Sequence, residues 1–258
     1  MMSDWNSAQY LLFENERTVP AQDLARRLSA LAPEKILDIG CGPANSTRVL
    51  YDQFPQAHLV GADLSPDMLR RVRAALPQAQ FVQCDVSGDL GALGDGYDIV
   101  FSNAVLQWLE NHAQVLSNWM TLLRPGGVLA VQMPINEPEP AIAAIGALAA
   151  RTPQRFESVV YQRSRPLPLE AYYDMLSAMT DRFAVWTTTY CHRMTEHRQI
   201  LEWVRGARLR PYLDCLSPGQ AAEFEQALLE QIQKDYPRRP NGDILFFFRR
   251  LFFTAMRR

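Results

Sequence analysis

The stretch Ile36-Leu-Asp-Ile-Gly-Cys-Gly-Pro-Ala-Asn-Ser-Thr47 runs from a short apolar segment directly into a glycine-containing turn. The next apolar run ends at a second acidic residue, Asp63. Two short strands that end at a turn or a carboxylate are typical of a nucleotide pocket at the carboxyl edge of a parallel sheet. The sequence therefore predicts an α/β fold that begins its ligand site here.

The composition of this turn distinguishes two kinds of nucleotide cofactor. A dinucleotide fingerprint needs a third glycine and backbone amides that face a pyrophosphate. Here Pro43 has no amide hydrogen, and Ala44-Asn45 stand where further glycine is expected. Asp38 would repel a phosphate, whereas S-adenosylmethionine (SAM) carries an ammonium, a sulfonium and a ribose diol. The turn therefore favours SAM over NAD.

Length and charge limit the class of protein. The chain has 258 residues, 48% of them hydrophobic, and a net charge of -2, which argues against a general nucleic-acid binder. Residues 1–135 hold 9 Lys and Arg against 14 Asp and Glu, whereas 136–258 hold 17 against 14. Sixteen of those 17 cations are arginine. Either arginine is simply the solvating cation of this chain, or the C-terminal part holds an anionic substrate.

The cysteines and the lengths of the apolar runs indicate the cellular location of the protein. Cys41, Cys84, Cys191 and Cys215 form no CxxC pair and have no histidine at a metal-ligand spacing, so we expect reduced thiols and no metal site. The N-terminus has no basic segment followed by an apolar stretch, and no apolar run reaches the ~18–20 residues that span a bilayer. A cytoplasmic protein is predicted, with no membrane partner.

Helices and strands alternate through the first half of the chain. Pro20 is predicted to open a helix, and Ser65-Pro66-Asp67 is a strong start for another. The segment 123–127 is expected to end a helix and turn the chain back. The five predicted strands are Lys35–Ile39, His58–Asp63, Gln80–Asp85, Tyr97–Ser102 and Gly127–Met133. Short connections between such elements predict a doubly wound parallel sheet.

The regular alternation stops after Pro134. Residues 136–178 and 195–236 read as helical, whereas Arg182–His192 and Ile244–Met256 are β-branched and aromatic, as strands are. We expect these two strands to rejoin the sheet as an antiparallel pair and the helical stretches to form a cap over its carboxyl edge. The fold class is thus a Rossmann-like, seven-stranded, mostly parallel sheet with a helical cap. The predicted divisions are a core with an N-terminal lid (1–135), cap (136–178), core strand (179–192), cap (193–241) and final core strand (242–258).

The motifs of the first half resemble those of class I SAM-dependent methyltransferases. They are Asp38-Ile-Gly40-Cys-Gly42, Asp63, Asp85, Asp98-Ile-Val-Phe-Ser-Asn103 and Leu123-Arg-Pro-Gly-Gly-Val-Leu129. A closer resemblance, running nearly end to end, is to the family of bacterial trans-aconitate 2-methyltransferases. It is carried by Ser3-Asp-Trp-Asn6, Tyr10, Phe13, Cys41-Gly-Pro-Ala-Asn-Ser-Thr47, Asn103-Ala-Val-Leu-Gln-Trp108, Gly127-Val-Leu-Ala-Val-Gln-Met-Pro134, Ala171-Tyr-Tyr-Asp174, Glu202-Trp-Val204, Leu209-Arg-Pro211 and Arg250-Leu-Phe252. Ala44 departs from the glycine usual in the family, and its methyl group is expected to be tolerated if φ is negative.

The resemblance implies a role for each residue of the cofactor site. Gly40 and Gly42 would hold the methionine portion of SAM, Asp38 would act near its ammonium, and Asp63 would bind the ribose diol. The adenine would be bound by Asp85 and would pack on Val86 or Leu64. Asn103 would lie nearest the reacting methyl group, and Tyr10, Phe13 and Arg17 would form a lid. The alternatives are a simple turn at Asp85 and an ordinary packed helix at the N-terminus.

The implied acceptor is a carboxylate, which is already ionised at neutral pH and needs no catalytic base. Catalysis then consists of positioning, and no catalytic residue or metal is predicted. A small polycarboxylate needs charge-assisted donors, and arginine provides them best. The candidates are Arg210 and Arg250, with Arg17 third. Tyr172 is a further hydrogen-bonding candidate and Trp108 a wall of the site, although a large aromatic after a strand is more often a core residue.

Three other functions fit parts of the pattern. A related enzyme would methylate a malonyl group on an acyl-carrier protein, and its cap would need an external basic patch. A SAM-binding protein without turnover would keep the same cofactor residues. An NAD-dependent oxidoreductase would bind NADH and not SAM. A monomer is favoured.

Overall fold

The computed structural model describes residues 14–136, 138–157, 159 and 166–258, with the backbone only for 14–17 and 207. Its centre is a seven-stranded sheet in the order β3-β2-β1-β4-β5-β7-β6. The strands are β1 (Lys35–Ile39), β2 (His58–Asp63), β3 (Gln80–Gln83), β4 (Tyr97–Asn103), β5 (Leu123–Pro134), β6 (Phe183–Met194) and β7 (Ile244–Met256). This confirms the predicted fold class, including the number of strands.

The first five strands are parallel, which brings their carboxyl ends to one edge. β1 pairs with β2 on one side and with β4 on the other, so Asp38 lies opposite Gly61 and Phe101. β2 pairs with β3, and β4 with β5. Because the strand order reverses at β1, the crevice at the carboxyl edge beside β1 is where this kind of fold binds ligands.

The two C-terminal strands complete the sheet. β7 is antiparallel to β5, with Pro134 opposite Arg250 and Val128 opposite Met256. β6 lies next to β7 at the edge of the sheet. The expectation that both late strands return to the sheet is therefore confirmed.

The helices lie largely where the sequence predicts them. Their bounds are α1 (Glu14–Arg27), α2 (Asn45–Gln53), α3 (Pro66–Ala75), α4 (His112–Thr121), α5 (Pro140–Ala149), α6 (Leu169–Met179), α7 (His197–Val204), α8 (Arg210–Leu213) and α9 (Pro218–Asp235). Ser65 caps α3, since its hydroxyl accepts a hydrogen bond from the Met68 N–H at 3.3 Å. A π-helical turn, Arg205–Leu209, joins α7 to α8.

Several predicted boundaries differ from those in the structure, and the bounds of β4 and β6 differ by only one or two residues. α1 already includes Glu14, so Pro20 lies inside the helix and does not begin it. Because proline has no N–H, one backbone hydrogen bond of the helix is missing there. The segment 123–127 belongs to β5: Leu123 pairs with Tyr97, and an irregularity follows before Val128 pairs with Ile99. β3 is shorter than predicted and ends at Gln83.

The chain divides into two compact units, each with its own apolar core. Among the described residues, we call those within 17–135, 166–188 and 250–258 the sheet unit, and those within 14–16, 136–159 and 189–249 the helical unit. In the sheet unit, Leu37, Val100 and Leu129 are fully buried among a cluster that includes Trp119. In the helical unit, a separate cluster is built on residues such as Ile200, Leu228 and Phe246.

None of the helices that the structure describes is long and apolar enough to cross a bilayer. All four cysteines are free thiols, Cys41 and Cys84 buried and Cys191 and Cys215 exposed.

Candidate functional site

The glycine loop, residues 40–44, leaves β1 in a conformation that requires glycine at its first position. Gly40 has φ +69°, and a Cβ added there would lie 2.3 Å from a methyl carbon of Val105. The N–H groups of Gly40 and Cys41 both donate to the Ala62 carbonyl, at 2.7 and 2.9 Å. The loop is therefore fixed against β2 and against the segment that follows β4.

Gly42 marks the open side of the glycine loop. Its φ is +50°, and no heavy atom of the described residues lies within 4 Å of a Cβ built there. Its N–H donates to Oδ2 of Asp63 at 2.9 Å. The glycine loop thus presents bare backbone to open space, as the approach of a ligand to the main chain requires.

Asp63 connects the glycine loop to the start of α3. Its Oδ1 accepts a hydrogen bond from the Ser65 N–H at 2.9 Å, while Oδ2 accepts from Gly42. A carboxylate oxygen has two lone pairs, so each oxygen can accept one further hydrogen bond. This half-buried carboxylate therefore suits the two hydroxyls of a ribose.

Asp38 is fully buried beneath the glycine loop. Its Oδ2 accepts hydrogen bonds from the hydroxyls of Ser46 at 2.8 Å and Thr47 at 2.6 Å, in the first turn of α2. Its Oδ1 is buried and has no hydrogen-bond partner among the described residues. Burial raises the pKa of Asp38 to about 7, and the two hydroxyls oppose that shift. An unsatisfied buried acceptor fits a ligand that brings a hydrogen-bond donor or a cation.

The three residues predicted at the adenine differ in exposure. Asp85 is exposed, and its Oδ1 accepts hydrogen bonds from the hydroxyl of Ser87 at 2.6 Å and from its N–H at 3.0 Å. These bonds hold the pKa of Asp85 below its ordinary value. Leu64 is 62% exposed, whereas Val86 is buried in the core. Of the two apolar candidates, Leu64 is therefore the one open to a ring.

A chain of side-chain hydrogen bonds crosses three strands of the sheet unit. Nη1 of Arg250 donates to Oε1 of Gln132 at 3.3 Å, and Nε2 of Gln132 donates to Oδ1 of Asn103. Gln132 is 1% exposed and Arg250 6% exposed, whereas Asn103 is half-buried at the end of β4. We call these three residues the amide relay. It links Asn103, predicted at the cofactor, to Arg250, predicted at the substrate.

Trp108 and Tyr172 have different surroundings within the sheet unit. Trp108 is 39% exposed and ends the 3₁₀ turn Leu106–Trp108 after β4. Tyr172 is fully buried, and its hydroxyl is bonded to Nδ1 of His112 at 2.9 Å and accepts from the Leu167 N–H at 3.1 Å. Burial raises the pKa of Tyr172 to about 12. Tyr172 is therefore part of the core between α4 and α6, and Trp108 is the more accessible of the two.

The remaining predicted residues lie elsewhere. Arg210 is at the start of α8 in the helical unit, with a side chain 40% exposed and an ion pair to Asp214 at 3.9 Å. Tyr10 and Phe13 lie outside the described residues, as does the side chain of Arg17. Within the described part of the chain, no group of three or more His, Cys, Asp or Glu residues is placed to hold a metal ion.

Two residues of the site escape the sequence-based prediction. Gln132 is the polar residue in the otherwise apolar, buried run Val128–Met133 of β5, and a lone amide in a central strand is the signal that identifies it. Val105 packs where Gly40 lacks a side chain, and that contact has no local signal in the sequence.

Two open recesses in the sheet unit are separate from these residues. One, of about 420 Å³, is lined by Asp23, Arg26, Arg27, Trp186, Thr188 and Phe252. The other, of about 510 Å³, is lined by Gly88, Asp89, Leu90, Gly91, Gly94, Asp95, Asn118, Thr121 and Leu122. Neither includes a residue predicted to bind cofactor or substrate.

Comparison with known proteins agrees with the fold. Residues 37–131 match the family described as methyltransferase domain. Trans-aconitate 2-methyltransferase of Rhodopseudomonas palustris (strain BisB5) is 39% identical over 99% of this chain and 100% of its own length. The enzyme of that name from Acidovorax ebreus (strain TPSY) is 42% identical over 99% of each chain.

Solved structures with a similar fold are much more distant in sequence. The YcgJ protein of Bacillus subtilis has a TM-score of 0.60 at 14% identity, over 93% of this chain and 99% of its own. A putative methyltransferase of Bacillus halodurans has a TM-score of 0.56 at 16% identity, over 91% and 97%. At such identities these two neighbours support the fold alone.

Proposed function

The chain belongs to the trans-aconitate 2-methyltransferase family, and we propose from this membership that it transfers the methyl group of SAM to a carboxylate of trans-aconitate. The products are a methyl ester and S-adenosylhomocysteine. The observation that carries the proposal is similarity that extends over 99% of the chain, well beyond the methyltransferase domain at 37–131. The domain is common to methyltransferases with many acceptors, so the similarity outside it carries the information about the substrate.

We propose that the glycine loop and the strand-end carboxylates hold SAM. The bare backbone at Gly42, the bridging carboxylate of Asp63 and the unsatisfied Oδ1 of Asp38 match the methionine, the ribose and the ammonium in turn. Leu64 and Asp85 suit the adenine through exposed apolar area and an ionised acceptor. When bound, SAM supplies an electrophilic methyl group on a positively charged sulfur.

The chain needs no catalytic base for this reaction. A carboxylic acid with a pKa near 4 is already a carboxylate at neutral pH, so no proton has to be removed. Correct alignment of two reactants can contribute about 7–11 kcal/mol to lowering a barrier. We therefore assign catalysis to positioning: the cofactor residues fix one reactant, and arginines fix the polycarboxylate.

Arg250 is the better supported of the two arginines. It is 6% exposed, and it donates to Gln132, whose amide nitrogen faces Asn103 at the carboxyl end of β4. Arg210 is half-exposed and ion-paired to Asp214, so it is a weaker candidate. Carboxylates clamped by arginine are poorer nucleophiles, so the carboxylate that escapes the clamp is the one expected to be methylated.

We also propose a division of labour and a compartment. Residues 1–135, 179–192 and 242–258 would form the core that holds SAM and contributes Arg250 to the acceptor site, and 136–178 and 193–241 would form the cap. A cytoplasmic location agrees with four free thiols. Nucleic acid and membranes are not expected as partners, and a monomer is favoured; light scattering of the purified protein would test the latter.

The function is tested by tritium transfer from methyl-labelled SAM to three samples: trans-aconitate, malonyl-acyl-carrier protein, and no acceptor. Base-labile tritium in the trans-aconitate sample alone is the expected result. Transfer to the carrier protein alone would replace the proposal with the related carboxyl methyltransferase. Binding of SAM without transfer to any acid would show a protein without this activity.

A further inference from the structure

The amide relay has a fixed direction of hydrogen-bond donation. A guanidinium carries only donors, so the group that faces Nη1 of Arg250 in Gln132 must be its carbonyl oxygen. The amide nitrogen of Gln132 then faces Asn103, where it meets Oδ1. Arg250 therefore determines the orientation of both amides, although it contacts only the first.

The far end of the relay is a donor at the edge of the sheet. Because Oδ1 of Asn103 accepts from Gln132, its Nδ2 points away from the relay, and it has no hydrogen-bond partner among the described residues. Asn103 is half-buried at the carboxyl end of β4, the edge that also carries the glycine loop. The open end of the relay thus presents N–H groups to that edge.

We propose that Gln132, itself oriented by Arg250, is a positioning residue for Asn103. It orients Asn103 so that the amide N–H groups of Asn103 donate to a carboxylate of a bound ligand. The inference rests on the proposed function, in which two ligands carry a carboxylate: the polycarboxylate acceptor and the methionine end of the cofactor. Both present the same chemistry to an N–H donor. The experiment below distinguishes them.

The chemistry of glutamine suits this role better than that of its closest analogue. Glutamine accepts from Arg250 and donates to Asn103 in a single side chain, and it does not neutralise the guanidinium. Glutamate has two acceptor oxygens and no donor, so it would pair with Arg250 but require Asn103 to turn its nitrogen inward. The amide oxygen of Asn103 would then face the ligand carboxylate.

The test compares Gln132→Glu with Asn103→Asp. In both variants an oxygen replaces the N–H groups at the ligand side, by rotation of Asn103 in the first and by direct substitution in the second. Calorimetry measures the Kd of trans-aconitate for protein saturated with S-adenosylhomocysteine and, separately, the Kd of S-adenosylhomocysteine. We expect both variants to weaken one of the two ligands by about 10- to 100-fold and to change the other by less than about 2-fold.

A double variant separates positioning from a general loss of structure. If Gln132 acts through Asn103, the loss in Gln132→Glu/Asn103→Ala should be close to that of Asn103→Ala alone and not the product of the two single losses. Gln132→Met removes both hydrogen bonds and leaves Asn103 free to rotate, so it should cost less than Gln132→Glu. KM should follow Kd, with kcat reduced less.

The outcomes are distinct. A loss confined to trans-aconitate assigns the carboxylate to the acceptor, and a loss confined to S-adenosylhomocysteine assigns it to the cofactor. Gln132→Glu that binds both ligands as the wild type does would overturn the inference. If Gln132→Glu fails to fold, as shown by thermal unfolding, unchanged binding in Asn103→Asp overturns it instead. A wild type that binds S-adenosylhomocysteine but not trans-aconitate contradicts the proposed function, while the cofactor titration still tests the relay.

Discussion

Ala44 is the residue of the glycine loop whose backbone is least suited to its side chain. It lies just before α2 with φ +67° and ψ +23°, in the left-handed region. The sequence-based expectation makes the methyl group harmless only at a negative φ, and the structure does not meet that condition. For an L-residue this region costs about 1–2 kcal/mol that glycine avoids.

Ala44→Gly is therefore expected to stabilise the protein. Relief of the strained φ, less the extra entropy of glycine in the unfolded chain, should raise the free energy of unfolding by about 0.5–1 kcal/mol. Denaturant unfolding measures the change. The control is Ala74→Gly at an exposed position of α3, which should cost about 0.5–1 kcal/mol. Equal destabilisation by both substitutions would contradict the prediction.

Asp38 should make stability depend on pH in a direction opposite to that of most carboxylates. Its pKa of about 7 in the folded protein lies above the ordinary 3.8, so the folded state binds more protons between these values. The contribution of Asp38 to stability therefore falls as the pH rises through that window and is constant above it. Asp38→Asn, which mimics the protonated group, should gain stability relative to the wild type from about pH 5 to about pH 8.

Urea titrations across that range measure this difference. Asp52→Asn, at an exposed position of α2, provides the control for the replacement of an aspartate by asparagine. A difference between Asp38→Asn and the wild type that does not change with pH would show that Asp38 is ionised throughout.

Local sequence patterns predict the bounds of a secondary-structure element where the element has a clear start or stop signal. His58–Asp63 is predicted to the residue because an apolar run ends at an acidic turn, and α3 starts as predicted because Ser65 and Pro66 mark its first turn. Pro20 misleads because proline is a start signal that an interior position can also accommodate. The early start of β5 is missed because it depends on the pairing of Leu123 with Tyr97, which is distant in sequence.

The contact between α4 and α6 gives Tyr172, which the sequence predicts at the substrate, a place in the core instead. His112 accepts at Nδ1 from the Tyr172 hydroxyl, while its Nε2 faces the Leu109 carbonyl at 3.1 Å. Burial lowers the pKa of His112 below 6.5, so a neutral imidazole with its proton on Nε2 satisfies both contacts. The pair thus joins two helices through a buried hydrogen bond.

Tyr172→Phe is expected to destabilise the protein by about 1–3 kcal/mol, because it leaves Nδ1 of His112 and the Leu167 N–H without their partner. Chemical denaturation measures the effect. The control is the neighbouring Tyr173→Phe, since Tyr173 is 54% exposed and should change stability by less than about 0.5 kcal/mol. A Tyr172→Phe variant as stable as the wild type, but with a raised KM for the acceptor, would restore the substrate role predicted from sequence.

At the scale of the whole molecule, the two candidate arginines belong to different units. Arg250 lies in the sheet unit and Arg210 in the helical unit. The sequence identifies both by residue type and neighbours, but it cannot distinguish a buried guanidinium from a half-exposed one, because burial is decided by strands and helices far apart in the chain. The amide relay escapes prediction for the same reason: Asn103, Gln132 and Arg250 come together only through strand register.

Arg250→Ala should raise the KM for trans-aconitate by about 10-fold or more and that for SAM by less than about 2-fold, because a buried charge-assisted contact to an anion is lost. Arg210→Ala should act in the same direction but more weakly. Steady-state kinetics with each substrate varied in turn measures both. The controls are substitutions of two exposed arginines, Arg249→Ala and Arg198→Ala. Arginine variants that are as active as these controls at limiting trans-aconitate would remove both residues from the acceptor site.

The packing of Val105 against Gly40 has a consequence for affinity. The Val105 methyl groups lie against Gly40. The Ala62 carbonyl accepts from two N–H groups of the glycine loop, and Asp63 accepts from a third, that of Gly42. These contacts are all made within the protein, so the loop is preorganised for the ligand. A nucleoside that binds there orders little additional backbone, so less of its interaction free energy is lost to conformational entropy.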